Sequence, residues 1–277
     1  MLKVGTWNVN GIRARAADVL AWLEREQPDV VCLQEVKASP ADLPEALCAL
    51  PGYFCYWHGY KGYSGVALHL SRAAFGGRPA FQHPAFDHEA RIVSARAGDF
   101  VFASTYVPNG GKDFPAKVRF LDALAGYAEA LRTEGLKLVL CGDINVAREP
   151  RDVHPKLRNP KQIGQTSDEQ AQLERIIAHG LCDLSRKFRP DDDRLFTWWA
   201  PWREHRQLNI GWRLDYVLAS NELAERALSC EAFREFGSSD HAPVIAVFDV
   251  EPPRIEGGQP EPESEAGTPA PGQLSLF

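Results

Sequence analysis

Lys137-Leu138-Val139-Leu140-Cys141-Gly142-Asp143-Ile144-Asn145 opens as a mostly apolar run and turns polar abruptly at its end. A short run of that composition predicts a strand buried on both faces, as in a parallel sheet. In α/β folds, ligands lie just outside the carboxyl ends of such strands. Asp143 and Asn145 are two residues apart, so on an extended chain they project to the same side. A carboxylate and a carboxamide so placed suit a site that accepts a proton and holds a polar substrate. The same residues would serve a plain turn, in which Gly, Asp and Asn cap the backbone. The rest of the chain separates the two readings.

The 277 residues allow one large domain or two small ones, and 44% hydrophobic with 25% charged residues is ordinary for a globular chain. No apolar run approaches a membrane span, and the N-terminus enters a strand-like pattern at once, so no secretory signal is expected. Six cysteines lie at 32, 48, 55, 141, 182 and 230 without a Cys-x-x-Cys pair. They predict a cytoplasmic protein without disulfides or structural zinc. Of the net charge of −6, −4 sits in residues 251–277, which leaves the body at −2. That small sum admits both an acidic metal site and a basic surface.

Toward the N-terminus, Lys3-Val4-Gly5-Thr6-Trp7-Asn8-Val9-Asn10 reads as a strand ending in asparagines. A helical pattern over 13–26 stops at Pro28, and Asp29-Val30-Val31-Cys32-Leu33-Gln34-Glu35 is a second buried strand with a polar end. This is a βαβ unit, and it brings Glu35 and Asn8 to neighbouring strand ends. A Glu beside an Asn and another acid suits Mg²⁺, which takes few protein oxygens. A short helix over 41–49, aromatic strands near 53–57 and 65–70, and strands at 91–97 and 100–106 follow. The last ends in Tyr106-Val107-Pro108-Asn109, whose hydroxyl and amide can donate to a phosphate oxygen. Residues 114–133 form an amphipathic helix.

Beyond the central stretch, the loop 148–161 carries Arg148, Arg151, Lys156, Arg158 and Lys161, a candidate surface for backbone phosphates. A helix is expected over 167–179. Phe196-Thr197-Trp198-Trp199-Ala200-Pro201-Trp202, followed by Arg203 and Arg206, interleaves aromatics with cations as a nucleic-acid surface does, although some of these rings must be core. Trp212-Arg213-Leu214-Asp215-Tyr216-Val217-Leu218 predicts a strand with a carboxylate in its interior, which needs a partner. Ser239-Asp240-His241, ahead of a closing strand at 244–250, supplies one, since an Asp fixes the tautomer of a catalytic His.

In chain order, Trp7-Asn8-Val9-Asn10-Gly11, Leu33-Gln34-Glu35-Val36-Lys37, Tyr106-Val107-Pro108-Asn109, Gly142-Asp143-Ile144-Asn145, Trp212-Arg213-Leu214-Asp215-Tyr216 and Ser239-Asp240-His241 resemble the bacterial exonuclease III family of abasic-site (AP) endonucleases, within the endonuclease/exonuclease/phosphatase superfamily. The resemblance covers about residues 1–250. It implies a four-layer α/β sandwich with two central mixed sheets flanked by helices. It implies Glu35 as the principal Mg²⁺ ligand with Asn8 and Asp240 close by, and Mn²⁺ as a substitute ion. Asp143 then activates or orients the attacking water and Asn145 holds it. Tyr106, Asn109 and His241 contact the scissile phosphate, with Asp215 orienting His241. Lys37, Arg148, Arg151, Lys156 and Arg203 are the expected DNA contacts. Trp198, Trp212 and Leu214 are the pocket candidates for a flipped-out baseless sugar, with Trp202 as a wedge. The implied activity is incision 5′ to abasic sites in double-stranded DNA, leaving a 3′-hydroxyl, by a monomer. A 3′→5′ exonuclease or 3′-end-cleaning activity is the alternative within the family. A superfamily cousin, such as a non-specific nuclease or a phosphatase acting on lipid or inositol phosphates, and a catalytically silent DNA- or clamp-binding module, are the alternatives outside it.

Residues 251–272 hold six prolines, four glycines and five acids, which predicts a disordered tail after a catalytic domain at 1–250. The chain then ends Gln273-Leu274-Ser275-Leu276-Phe277, which looks like the peptide that bacterial repair proteins insert into the polymerase sliding clamp. A chance apolar end is the plain alternative.

Overall fold

The computed structural model describes residues 1–256 apart from Ala49 and Lys61. The expected clamp peptide, Gln273, Leu274, Leu276 and Phe277, lies outside the described residues. Among the described residues twelve strands form the frame: β1 (Leu2–Asn8), β2 (Val30–Gln34), β3 (Tyr53–Tyr60), β4 (Tyr63–Ser71), β5 (Ala80–Gln82), β6 (Ile92–Ala97), β7 (Phe100–Tyr106), β8 (Lys137–Asp143), β9 (Leu181–Asp183), β10 (Asp215–Ser220), β11 (Ala227–Ala232) and β12 (Val244–Phe248). They make two six-stranded sheets, β11-β12-β1-β2-β4-β3 and β5-β6-β7-β8-β10-β9. Each sheet has one central parallel pair, β1 with β2 and β7 with β8, and its other pairings are antiparallel. A parallel pair needs a crossover, and the helices Ala16–Glu26 and Phe114–Thr133 supply it in each case.

The continuous apolar run of β8 is explained by burial on both faces. Val139 and Cys141 enter the core between the sheets, while Leu138 and Leu140 pack under the helices Phe114–Thr133 and Ser167–Ala178. In β2, Val30 and Cys32 face the other sheet, and Val31 and Leu33 face the helix Ala16–Glu26 with Trp22. The layers are therefore helix, sheet, sheet, helix, the sandwich expected from the resemblance. Gln27 closes the first helix in the left-handed conformation before Pro28, with its amide on the Leu23 carbonyl.

Three expectations change. The strand expected at 212–218 begins only at Asp215, because Trp212 leaves the sheet to bridge Val153 and Trp198. Asp215 is thus the first residue of an antiparallel strand, not an interior one. Next, the 41–49 helix is broken into the 3₁₀ turn Pro40–Asp42 and the helix Glu45–Cys48. Finally, the chain stays on the body past residue 250, where Ile255 donates its amide to the Phe75 carbonyl and packs against the inter-sheet core. Among the described residues, no helix is long and apolar enough to cross a membrane.

Candidate active site

The site lies where the polar ends of the two parallel pairs meet. Asn8 ends β1, Glu35 follows β2, Tyr106 ends β7 and Asp143 ends β8. Because β10 runs antiparallel to β8, its first residue, Asp215, sits directly opposite Asp143. Gly142 makes this end possible: its φ is +142°, and a Cβ there would lie 1.9 Å from the Thr105 carbonyl oxygen.

Asn8 ties the two sheets together, its Nδ2 donating to Glu35 Oε1 and to Asp143 Oδ2, both at 2.9 Å. Asn145, at φ +54°, donates its backbone amide to Asp143 Oδ1 at 2.9 Å and its carboxamide to Oδ2 at 3.3 Å and to the Val107 carbonyl at 2.9 Å. His241 places Nδ1 2.8 Å from Asp215 Oδ2 and Nε2 3.8 Å from Asp143 Oδ2. The hydroxyl of Thr197 accepts from the Leu214 and Asp215 amides at 3.0 Å, which seats Asp215. The hydroxyl of Ser239 donates to the Asn8 carbonyl at 2.7 Å and accepts from the His241 amide at 3.2 Å.

Burial and neighbouring charge divide the titratable groups. Burial pushes Asp143 up to about 7, with Asp215 and Glu35 adding to it and His241 and Asn8 opposing. Burial disfavours the His241 cation, but Asp215 and Asp143 outweigh it and lift the imidazole up to about 10. His241 is the better holder of the proton at neutral pH because a carboxylate faces each of its ring nitrogens. For Glu35 burial is outweighed by Asn8 and Lys37, and its carboxyl lies below its ordinary value. Burial, reinforced by Glu35 and Asp143, pushes the Tyr106 phenol far up and keeps it a neutral donor.

Glu35, Asp143 and His241 present ligand atoms within 4.8 Å of one another, an arrangement that can hold a metal ion. The two carboxylates and the nearby Asn8 carboxamide suit a hard cation, whereas His241, held as a cation, is no ligand in that state. Asp240, the residue before His241, accepts from Asn10 Nδ2 at 2.8 Å and Trp198 Nε1 at 3.1 Å, one on each oxygen. Lys37 joins the site, 2.6 Å from Glu35 Oε2 and 2.6 Å from Asn10 Oδ1.

The other expected contacts divide into committed and open groups. Arg148 is held by Glu174 and Asp183, and Arg151 by Glu149 and the Pro190 carbonyl. Asn109, Lys156 and Arg203 are exposed, while Arg206 is spent on the carbonyls of Arg234, Phe236 and Ser239. Among the pocket candidates, Trp212 and Leu214 are buried in one cluster with Ala147 and Val153. Trp198 is half-buried, meets Trp212 edge-to-face at 5.8 Å and lies beside the His241 ring. Trp202 is 59% exposed and stands outside that wall.

Two supports escaped the sequence reading. Lys117 is buried, pairs with Glu169 at 2.5 Å and donates to the Asn145 carbonyl at 2.7 Å. Its signal was a cation on the apolar stripe of Phe120, Leu121 and Leu124. Arg91 lies 4.9 Å over the Tyr106 ring and donates to the Tyr106 carbonyl and the Tyr63 hydroxyl. No local pattern marks that role.

The Endonuclease/Exonuclease/phosphatase family profile matches residues 5–241, and the chain belongs to that family. It is 31% identical over 268 residues to exodeoxyribonuclease III of Haemophilus influenzae, covering 89% of this chain and all of the relative. A solved AP endonuclease from Archaeoglobus fulgidus superposes with a TM-score of 0.82 at 32% identity, covering 90% of this chain and 100% of that one. A 3′-5′ exonuclease from Neisseria meningitidis superposes with a TM-score of 0.81 at 30% identity, with the same two coverages.

Proposed function

We propose that the chain is a Mg²⁺-dependent phosphodiesterase of DNA repair that cleaves the backbone on the 5′ side of abasic sites and leaves a 3′-hydroxyl. The observation that carries the reading is the meeting of Glu35, Asp143 and the Asp215–His241 pair at one mouth of the two sheets. Glu35, with Asp143 and Asn8 beside it, would hold the ion, which when bound neutralises charge on the phosphoryl oxygens. Asn145 and Asn8 fix the Asp143 carboxylate, which orients the attacking water and, lying near neutrality, takes its proton. The bond from water oxygen to phosphorus forms as the bond from phosphorus to the 3′-oxygen breaks, and that oxygen takes up a proton from solvent water to become the 3′-hydroxyl. His241, kept cationic by Asp215, and the neutral Tyr106 phenol donate to the non-bridging oxygens as charge builds on them. Asn109, Lys156 and Arg203 supply exposed donors toward the backbone, Trp198 faces the baseless sugar, and Trp202 wedges into the duplex. The resemblance to a 3′-5′ exonuclease and to exodeoxyribonuclease III supports a second reading, removal of nucleotides or blocks from 3′ ends at the same site.

The proposal extends to a monomer working in the cytoplasm, with residues 273–277 docking on the polymerase sliding clamp through a tether that raises effective concentration. Matched duplexes with an abasic site, a recessed 3′ end or no lesion, each with Mg²⁺ or EDTA, test the activity. Incision at the abasic site with Mg²⁺ alone supports it; cleavage that ignores the lesion, or persists in EDTA, overturns it. Deleting 273–277 should abolish clamp binding and leave incision of free oligonucleotides unchanged, and equal clamp affinity without those residues removes the docking idea.

A further inference from the structure

Among the described residues, a second group of three can hold a metal ion: His58, His83 and Asp87, far along the chain from the carboxylates of the active site. His58 belongs to β3, the terminal strand of the first sheet, and His83 directly follows β5, the terminal strand of the second. The two edges touch here, with Tyr56 stacked on Phe81 at 4.9 Å and the rings of His58 and His83 3.9 Å apart.

The Asp87 carboxylate is aimed. Its Oδ1 accepts the Arg91 amide at 2.9 Å and the Ile92 amide at 3.2 Å. Its Oδ2 is thereby turned to His58 Nε2 at 2.5 Å and to His83 Nδ1 at 3.8 Å. His83 carries the support a ligating imidazole uses, since its other nitrogen, Nε2, lies 2.7 Å from the Tyr56 hydroxyl. The side chains keep 20%, 28% and 10% of their surface for His58, His83 and Asp87, so an ion can enter and solvent can complete its shell.

We propose that His58, His83 and Asp87 form a site for a divalent transition-metal ion of the zinc type, which cross-links the open edges of the two sheets. Two imidazoles and one carboxylate favour Zn²⁺ and its neighbours over Mg²⁺, which takes oxygen ligands. Bonds near 2.0–2.1 Å set ligand-to-ligand edges of about 3.3 Å in a tetrahedral shell, so the His58–Asp87 contact opens while the His83–Asp87 separation closes. His83 Nδ1 turns from the Ile92 carbonyl, now 3.4 Å away, to the ion, and Nε2–H donates to the Tyr56 oxygen. No cysteine takes part, so the cysteine spacing carries no trace of such a site. The ion also tightens the turn from Asp87 to Arg91, whose guanidinium packs on Tyr106.

The test uses the full chain carrying Glu35→Gln, which weakens metal binding at the active site. Zn²⁺ is titrated by calorimetry and Co²⁺ by its visible absorption, with thermal unfolding in parallel. The expected result is one Zn²⁺ per chain, a Co²⁺ band of four- or five-coordinate intensity and a rise in Tm on Zn²⁺ addition. Adding His58→Gln, His83→Gln or Asp87→Asn should weaken binding by at least about tenfold and remove the Tm rise, and Tyr56→Phe should weaken it by roughly tenfold while leaving the ligands in place. Circular dichroism of the metal-free variants shows whether each is folded, and Tyr56→Phe keeps the test open where a ligand variant is not. Zn²⁺ affinity, stoichiometry and Tm shift unchanged by these substitutions overturn the proposal, as does the absence of Zn²⁺ binding in the Glu35→Gln protein.

Discussion

The two sheets follow one pairing plan, with a central parallel pair joined by a helix and antiparallel neighbours outside it, yet their polar ends behave in opposite ways. In the first sheet, Glu35 leaves the strand in a left-handed turn and meets Lys37, so its carboxyl is held low and ready for a cation. In the second sheet, Asp143 is buried with Asp215 opposite it and Glu35 near, so its carboxyl is held high and ready for a proton. Equivalent strand positions therefore do not imply equivalent chemistry. Burial and neighbours decide it, and Asn8 joins the two halves by donating to both carboxylates.

The comparison breaks most sharply at Asp143. Asp143→Asn should lower single-turnover incision by roughly 10²–10⁴-fold with binding of abasic duplex retained, because the shape stays and the proton acceptor goes. Incision at the unaltered rate in the purified variant would take the second sheet's carboxylate out of the chemistry. Lys117→Met comes next. It leaves the buried Glu169 without its cation and should cost about 3–5 kcal/mol in urea unfolding, with much of the loss recovered by adding Glu169→Gln. An undiminished unfolding midpoint in the single variant would show that the pair does not hold the second sheet's mouth.

His69, on β4 of the first sheet, sharpens the contrast through pH. Burial pushes its imidazole down to about 4, against a weaker pull from the Leu68 backbone. The unfolded imidazole, near 6.5, binds a proton that the folded one refuses, so this contribution is whole above about pH 6.5 and is lost as pH falls toward 4. The loss is at most roughly 3 kcal/mol, and His69→Leu should flatten that part of the stability curve. Curves of equal slope for both proteins between pH 4 and 6.5 would contradict it. The smallest effect is expected at Trp202, an exposed ring away from both sheets. Trp202→Ala should change stability by under about 0.5 kcal/mol and weaken abasic-duplex binding by about 1 kcal/mol. Unchanged affinity would confine the DNA-facing aromatics to the neighbourhood of Trp198.

Much of this was legible in the chain itself, and the reason is locality. The apolar runs ending at Gln34 and Asp143 gave away parallel strands, since a strand buried on both faces must be apolar throughout. The polar residues just past those runs marked the mouth of the site, and six short motifs in order identified the family. Other features required the folded chain. Asp215 seemed interior to a strand, but Trp212 is drawn out of the sheet by Val153 and Trp198, so Asp215 lands at the mouth opposite Asp143. The groups that position Arg148 and Arg151, namely Glu174, Asp183 and the Pro190 carbonyl, lie tens of residues away. The grouping of Glu35 with Asp143 and His241 depends on two sheet ends meeting, and the pairing of His58 with Asp87 on two sheet edges meeting. Sequence by itself determined the strands, their order of polar ends and the family, because periodicity and motif are properties of neighbouring residues. Tertiary structure alone decided which charges meet and which protons they keep, because Coulomb and desolvation energies depend on distances between segments that the order of residues does not state.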